Sequence, residues 1–113
     1  MLVDVQKVKI VTFAPKDNIP LIREAVCTVG AGKIGNYDFC TATQESVGTY
    51  IPNNEAKPYI GVNNELSVEK ELRFEVVCDI DKVKNVLATL RKVHPYEEPE
   101  IDIIPLLDEG VFE

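Results

Sequence analysis

Along the chain the apolar positions alternate, then recur every three or four residues, and this change of period occurs twice. Val5 to Ala14 is dominated by β-branched and aromatic residues. Val8 and Ile10 point one way and Val11 and Phe13 the other, which predicts a central strand covered on both faces. Asp17 or Asn18 caps a helix that admits Pro20 in its first turn. Ile19, Ile22, Val26 and Val29 follow at helical spacing until Gly30 and Gly32 end it. A weaker pattern over Asp38 to Gly48 predicts a second strand. In Glu71 to Cys78, Leu72, Phe74, Val76 and Cys78 alternate with Arg73, Glu75 and Val77, a strand with one plainly buried face. Asp79 or Asp81 then opens a helix with Val83, Val86, Leu87 and Leu90 on one stripe and a basic last turn that suits the helix dipole. A last strand near residues 100 to 106 carries Ile101, Ile103 and Leu106 and is interrupted by Pro105.

The order strand, helix, strand, strand, helix, strand is the split βαβ arrangement. It predicts an α+β, ferredoxin-like fold, a four-stranded antiparallel sheet with both helices on one face. The other face is left uncovered. Val11, Phe13 and Val77 are expected to add apolar area there, while Lys7, Lys9, Arg73 and Glu75 would solvate it, and a second copy of the chain is the simplest cover. Thr49 to Lys70 is more polar than its flanks and rich in turn formers, so it reads as a binding loop or as an irregular extension of a hairpin.

With 113 residues, 45% of them apolar, the chain suits one domain over residues 1–113 that needs no disulfide or metal staple. Its apolar runs are too short to span a membrane, and the N-terminus lacks the basic-then-apolar pattern of a leader, so a cytoplasmic location is expected. Cys27, Cys40 and Cys78 fit neither a disulfide framework nor a CxxC motif and read as reduced core residues. Nineteen acidic against twelve basic side chains give a net charge of −7, which opposes binding to nucleic acid.

Candidate chemistry gathers in His94-Pro95-Tyr96-Glu97-Glu98-Pro99, which holds the single histidine, two adjacent carboxylates and two prolines. Each proline pushes the residue before it out of the helical region, so the run is expected to be rigid and extended. His94 and Glu97 are candidate metal ligands. One imidazole with neighbouring carboxylates falls short of the three protein ligands of an ordinary catalytic site, so the expectation is at most weak divalent-metal binding, with a structural or ligand-positioning role for His94, Tyr96, Glu97 and Glu98. Gly30-Ala31-Gly32-Lys33-Ile34-Gly35 has the glycines of a phosphate loop but follows a helix, so it reads first as a C-cap. An anion held by glycine amides and Lys33 is the lesser reading. Tyr59, in the long loop, completes the candidate ligand-binding residues. No catalytic triad is legible.

Four stretches taken together carry a family resemblance: Gly30 to Tyr37, Gly48-Thr49-Tyr50-Ile51-Pro52, Pro58-Tyr59-Ile60-Gly61, and the His94 to Pro99 run. In order and spacing they resemble the domain inserted in the middle of Nif-three-like proteins, over about Val8 to Leu106. That domain is similar in fold to the PII signalling proteins and the CutA divalent-cation-tolerance proteins, which implies a PII/CutA-like fold and a homo-oligomer, a trimer before a dimer. The histidines and carboxylates of the flanking lobes that build the family's two-metal site have no counterpart in this sequence. The resemblance therefore implies a non-enzymatic binding or regulatory module for a small molecule or protein partner. The alternatives are a small metal-dependent enzyme or metal-binding protein with a site shared between subunits, and a partner subunit for a protein carrying the missing lobes.

Overall fold

The computed structural model describes residues 4–113, so Met1 to Val3, part of the expectation about a leader, lie outside the described residues. The strand-period segments pair as β1 (Lys7–Ala14), β2 (Thr41–Tyr50), β3 (Ser67–Asp79) and β4 (Ile101–Leu106), in one antiparallel sheet of order β2-β3-β1-β4. The helix-period segments form α1 (Ile19–Thr28) and α2 (Val83–Val93), which pack against each other and against one face of the sheet. This is the ferredoxin-like fold expected from the order of periods. The core is the meeting of both patterns: Val8, Ile10 and Ala14 of β1 and Phe74, Val76 and Cys78 of β3 lie beneath Ile19, Ile22 and Val26 of α1 and Val86 and Leu90 of α2.

Helix ends follow local chemistry. Ala31 N–H donates to the Val26 carbonyl and Gly30 N–H to that of Cys27, a Schellman cap that Gly30 permits at φ 116°. The next amide, that of Gly32, donates to Val77 at 2.8 Å and pins the loop to β3. At the other helix, Pro95 holds His94 at ψ 133°, which stops α2 after a last bond from His94 N–H to the Leu90 carbonyl.

Three boundaries differ from the periodicity reading. The first strand starts at Lys7. The second runs from Thr41 to Tyr50, and the third begins at Ser67, so Thr49–Tyr50 and residues 67–70 are paired strand and the loop shortens to residues 51–66. The cause is plain in the register: β1 reaches only to Ala14 opposite Leu72, and beyond that point β2 and β3 continue as a two-stranded arm with no helix beneath. Val47 and Val68 there are 63% and 59% exposed, so backbone pairing extends where no burial pattern announces it. The helix stripe also shifts, since Cys27 is buried while Val29 is partly exposed.

The uncovered face needs a further correction. Val11 does not offer apolar surface, because it is only 1% exposed within the single chain. Its cross-strand neighbours are Glu75 and Asp102, and Glu75 is bound on that face by Lys9 and Arg73. These long side chains lie over the strand and close it off. Phe13 and Val77 remain partly exposed there, joined by Ile104.

Burial of this kind makes unequal demands on the two halves of the sheet. Ile22→Ala should lower stability by about 2–5 kcal/mol, because it leaves a cavity between α1 and the sheet, whereas Val47→Ala on the exposed arm should change it by under about 0.5 kcal/mol. Urea denaturation at one fixed protein concentration distinguishes them. Equal losses would mean that the arm is buried as deeply as the core.

Candidate functional site

Three of the four family-like stretches converge on one place, and Gly30 to Tyr37 lies apart from it. Where the arm leaves the sheet, the uncovered face, the tip loop and the segment 96–100 enclose a cleft of about 610 Å³. The pleat aims Phe13, Ser46, Gly48, Tyr50 and Glu71 to this side, since Phe13 lies opposite Arg73 and Ser46 opposite Glu71 in the antiparallel register. Pro58, Tyr59 and Ile60 of the tip loop and Tyr96, Glu97 and Glu98 close it.

His94 sets the position of this wall. It is buried at 7% exposure, and its Nε2 lies 2.9 Å from the Phe13 carbonyl while its Nδ1 accepts the Tyr96 N–H at 3.1 Å. A carbonyl only accepts and an amide only donates, so the ring is neutral with its proton on Nε2. Burial holds its pKa below the ordinary value, against the opposing pull of the Phe13 carbonyl and Glu71. Tyr96 packs on the ring at a centroid distance of 5.0 Å and donates its hydroxyl to Glu71 Oε2 at 2.6 Å. Burial first and Glu71 second push the Tyr96 phenol well above its usual range, so it stays a donor.

Gly48 makes this contact possible. A Cβ there would stand 2.2 Å from Glu71 Oε1, so any side chain would displace the carboxylate that holds Tyr96. The tip loop is tied in separately: Tyr50 donates its hydroxyl to the Ile60 carbonyl, Gly61 takes φ 118° beside Tyr50 and Ser67, and Asn64 N–H donates to Pro52 at 2.6 Å. Glu97 Oε1 accepts the Lys57 amide at 3.0 Å, which draws the segment after His94 against the loop. The ring of Tyr59 lies 6.2 Å from that of Tyr96. Glu100 has its pKa raised by the adjacent Asp102 carboxyl and by burial.

Of the residues singled out from sequence, Tyr59, Tyr96, Glu97 and Glu98 line the cleft, with His94 behind them. Lys33 is elsewhere, 3.8 Å from Asp38 on an exposed turn, and the amides of Gly30, Ala31 and Gly32 are spent on carbonyls, which leaves that stretch a cap rather than an anion nest. His94 and Glu97 are not presented as a ligand pair, because both ring nitrogens and Glu97 Oε1 already hold backbone groups. Among the described residues no group of three or more His, Cys, Asp or Glu is placed to hold a metal ion. Phe13, Gly48, Tyr50, Glu71 and Glu100 were missed. Phe13 carries a signal in its place on the uncovered face of the first strand, and Gly48 and Tyr50 carry one as members of a family-like stretch; Glu71 depends on the arm's register and Glu100 on the turn into β4.

An antiparallel sheet with two helices on one face and a cleft at the base of an extended hairpin defines a ferredoxin-like domain of the PII and CutA kind. CutA1 from Shewanella sp. SIB1 matches with a TM-score of 0.70 at 18% identity, covering 97% of this chain and 91% of that one, and GlnK of B. subtilis with 0.59 at 16%, covering 89% and 85%. A Bacillus cereus protein related to NIF3 matches with a TM-score of 0.80 at 30% identity, over 95% of this chain and 27% of that one. In sequence, the protein named GTP cyclohydrolase 1 type 2 homolog is 39% identical over 102 residues in Halalkalibacterium halodurans and 38% over 98 in Bacillus subtilis, covering 90% and 87% of this chain. The chain belongs with the Nif-three-like proteins, as the PII- and CutA-like part of them, and spans about a quarter of the length of these relatives, 27% and 26%. No family model matches it.

The clamp at His94 gives a pH dependence. Its pKa is below the unfolded value near 6.5, so the unfolded chain binds more protons as the pH falls beneath about 6.5. Its contribution to stability is complete above that value and is lost below it. His94→Leu leaves the Phe13 carbonyl and Tyr96 amide unpaired and should cost roughly 2–4 kcal/mol at pH 7.5. The variant should lose less further stability than the native chain between pH 7 and 5.5 in urea titrations. An identical pH slope in both would show that His94 does not titrate differently on folding.

Proposed function

We propose that the chain is a non-enzymatic, homo-oligomeric binding or regulatory module whose cleft at the base of the arm holds a small ligand. The observation that carries this reading is convergence: Gly48 to Pro52, Pro58 to Gly61 and His94 to Pro99 all meet at one cleft, and His94 is committed to shaping its wall. The cleft is within the usual size range for a small-molecule site, roughly 300–1,000 Å³.

The relatives' name concerns GTP, and four carboxylates around this cleft oppose a triphosphate. A cyclohydrolase reaction is therefore not assigned to this chain's own residues, and the chain acts as a module beside such chemistry. Ligand and interface sites on rigid neighbouring elements suit regulation, since occupancy of the cleft bears directly on the arm.

A trimer is favoured over a dimer, on the likeness to PII and CutA and on the partly exposed Val77 and Ile104, which flank Lys9 on the uncovered face. Both outer strands, β2 and β4, also leave one edge free for pairing with another copy. No helix among the described residues is long and apolar enough to cross a membrane, and the reading places the module in the cytoplasm.

Light scattering at tens of micromolar protein should give three times the chain mass. Val77→Glu with Ile104→Glu should reduce that mass while the circular-dichroism spectrum stays that of the native fold. A monomeric native protein would remove the oligomeric part of the reading, and an unchanged mass in the double variant would move the interface off this face.

A further inference from the structure

We infer that the cleft selects an organic cation with an apolar body, an amine or quaternary ammonium, rather than an anion or a bare metal ion. This rests on the binding-module reading above and names its ligand class. The first ground is charge. Glu71, Glu97, Glu98 and Glu100 line the cleft, while no lysine, arginine or histidine does. Nor are these carboxylates neutralised from outside: the ion pairs among the described residues join Lys7 to Asp79, Lys9 and Arg73 to Glu75, and Lys33 to Asp38. A phosphate or carboxylate entering here would meet like charge in a partly desolvated space, where repulsion is screened less than on an open surface.

The second ground is shape and wall chemistry. The apolar part of the lining includes Phe13, Ile51, Pro52, Pro58 and Ile60, so the cleft offers burial as well as charge. Three tyrosines stand among these residues, Tyr50, Tyr59 and Tyr96. The hydroxyls of Tyr50 and Tyr96 are bound to Ile60 and Glu71, which fixes both rings, and Tyr59 lies at 49° to Tyr96 at a centroid distance of 6.2 Å. Aromatic faces attract a cation through the ring quadrupole, and most strongly one that gives up little hydration, as substituted ammonium groups do.

The third ground separates an organic cation from a metal ion. A divalent ion needs several oxygen donors converging on one point. Here the carboxylates are spread along the cleft, Glu71 bound to Tyr96 and Glu97 to the Lys57 amide, and no group of three is placed to hold a metal among the described residues. Dispersed negative charge with aromatic and apolar walls matches a ligand whose charge is borne on a hydrocarbon frame.

The test uses the native oligomer, labelled with nitrogen-15 and titrated in separate arms with benzyltrimethylammonium chloride, sodium phenylacetate, magnesium chloride and GTP. Benzyltrimethylammonium should shift the amides of Tyr50, Tyr59 and Tyr96 saturably, at a concentration at least about tenfold below that needed for phenylacetate. Glu98→Gln combined with Glu100→Gln should weaken it by about fivefold or more, and Tyr59→Leu should weaken it while leaving mass and spectrum native. Tighter binding of phenylacetate or GTP at the same amides would overturn the ligand class and leave the binding module standing. Saturation by magnesium alone, with no effect of the ammonium probe, would overturn the organic cation in favour of a metal ion. If no probe shifts these amides at millimolar concentration while the oligomer stays intact, both the ligand class and the cleft as a binding site fall.

Discussion

The imidazole of His94 joins the end of β1, the stop of α2 and the start of the segment leading to β4. Its two nitrogens hold the Phe13 carbonyl and the Tyr96 amide, groups that would otherwise be buried without partners. Because one atom must donate and the other accept, the arrangement requires the neutral ring and tolerates no second proton. The two prolines that follow act with it: Pro95 ends the helix where the ring can reach β1, and Tyr96, Glu97 and Glu98 then bend, rather than run extended as the prolines led one to expect, before Pro99 leads toward β4. Tyr96, Glu71 and Gly48 then follow in sequence of contact, so the cleft wall is fixed by a chain of hydrogen bonds that begins at a core residue. A histidine with carboxylates nearby suggests metal chemistry, yet here the same group serves the backbone.

The arm is the second constraint. Beneath the helices the sheet is held by burial, as shown by Phe74, Ile10 and Val76, all nearly inaccessible. Past Leu72 only the ladder and a few side-chain bonds continue, and the tip loop returns over the uncovered face through Tyr50 and Ile60. Such a segment has less apolar burial to oppose local opening. The uncovered face itself is divided: Glu75 with Lys9 and Arg73 shields Val11 at the centre, and apolar surface remains near Val77 and Ile104. These ion pairs are half-buried and still reached by solvent, so they add modestly to stability and the trio serves mainly to cover the strand.

The fold is shared with proteins of under 20% identity, which shows how little of it depends on particular side chains. A ferredoxin-like sheet needs only the order of periods and two helix stops. The candidate site is placed on it by the arm, the tip loop and the turn into β4, where three of the four family-like stretches lie.

By itself the sequence determined the elements, because alternation in Leu72 to Cys78 and helical spacing in Val83 to Leu90 are local consequences of burying one face. It also determined the two stops, at Gly30 and Pro95, since left-handed φ and the steric bar before proline are properties of single residues. Tyr59, Tyr96, Glu97 and Glu98 stood out as candidates from composition and resemblance, and the fold brings all four to one cleft. What tertiary structure alone decided were relations across distance: that Glu71 meets Tyr96, that Gly48 leaves room for it, and that Val11 is covered by an ion-paired neighbour. Those follow from register, and the arm's register is set by backbone pairing in a stretch whose exposed side chains carry no period to read. The role of His94 was decided in the same way, since one residue's donors and acceptors acquire meaning only when the fold brings Phe13 and Tyr96 to them.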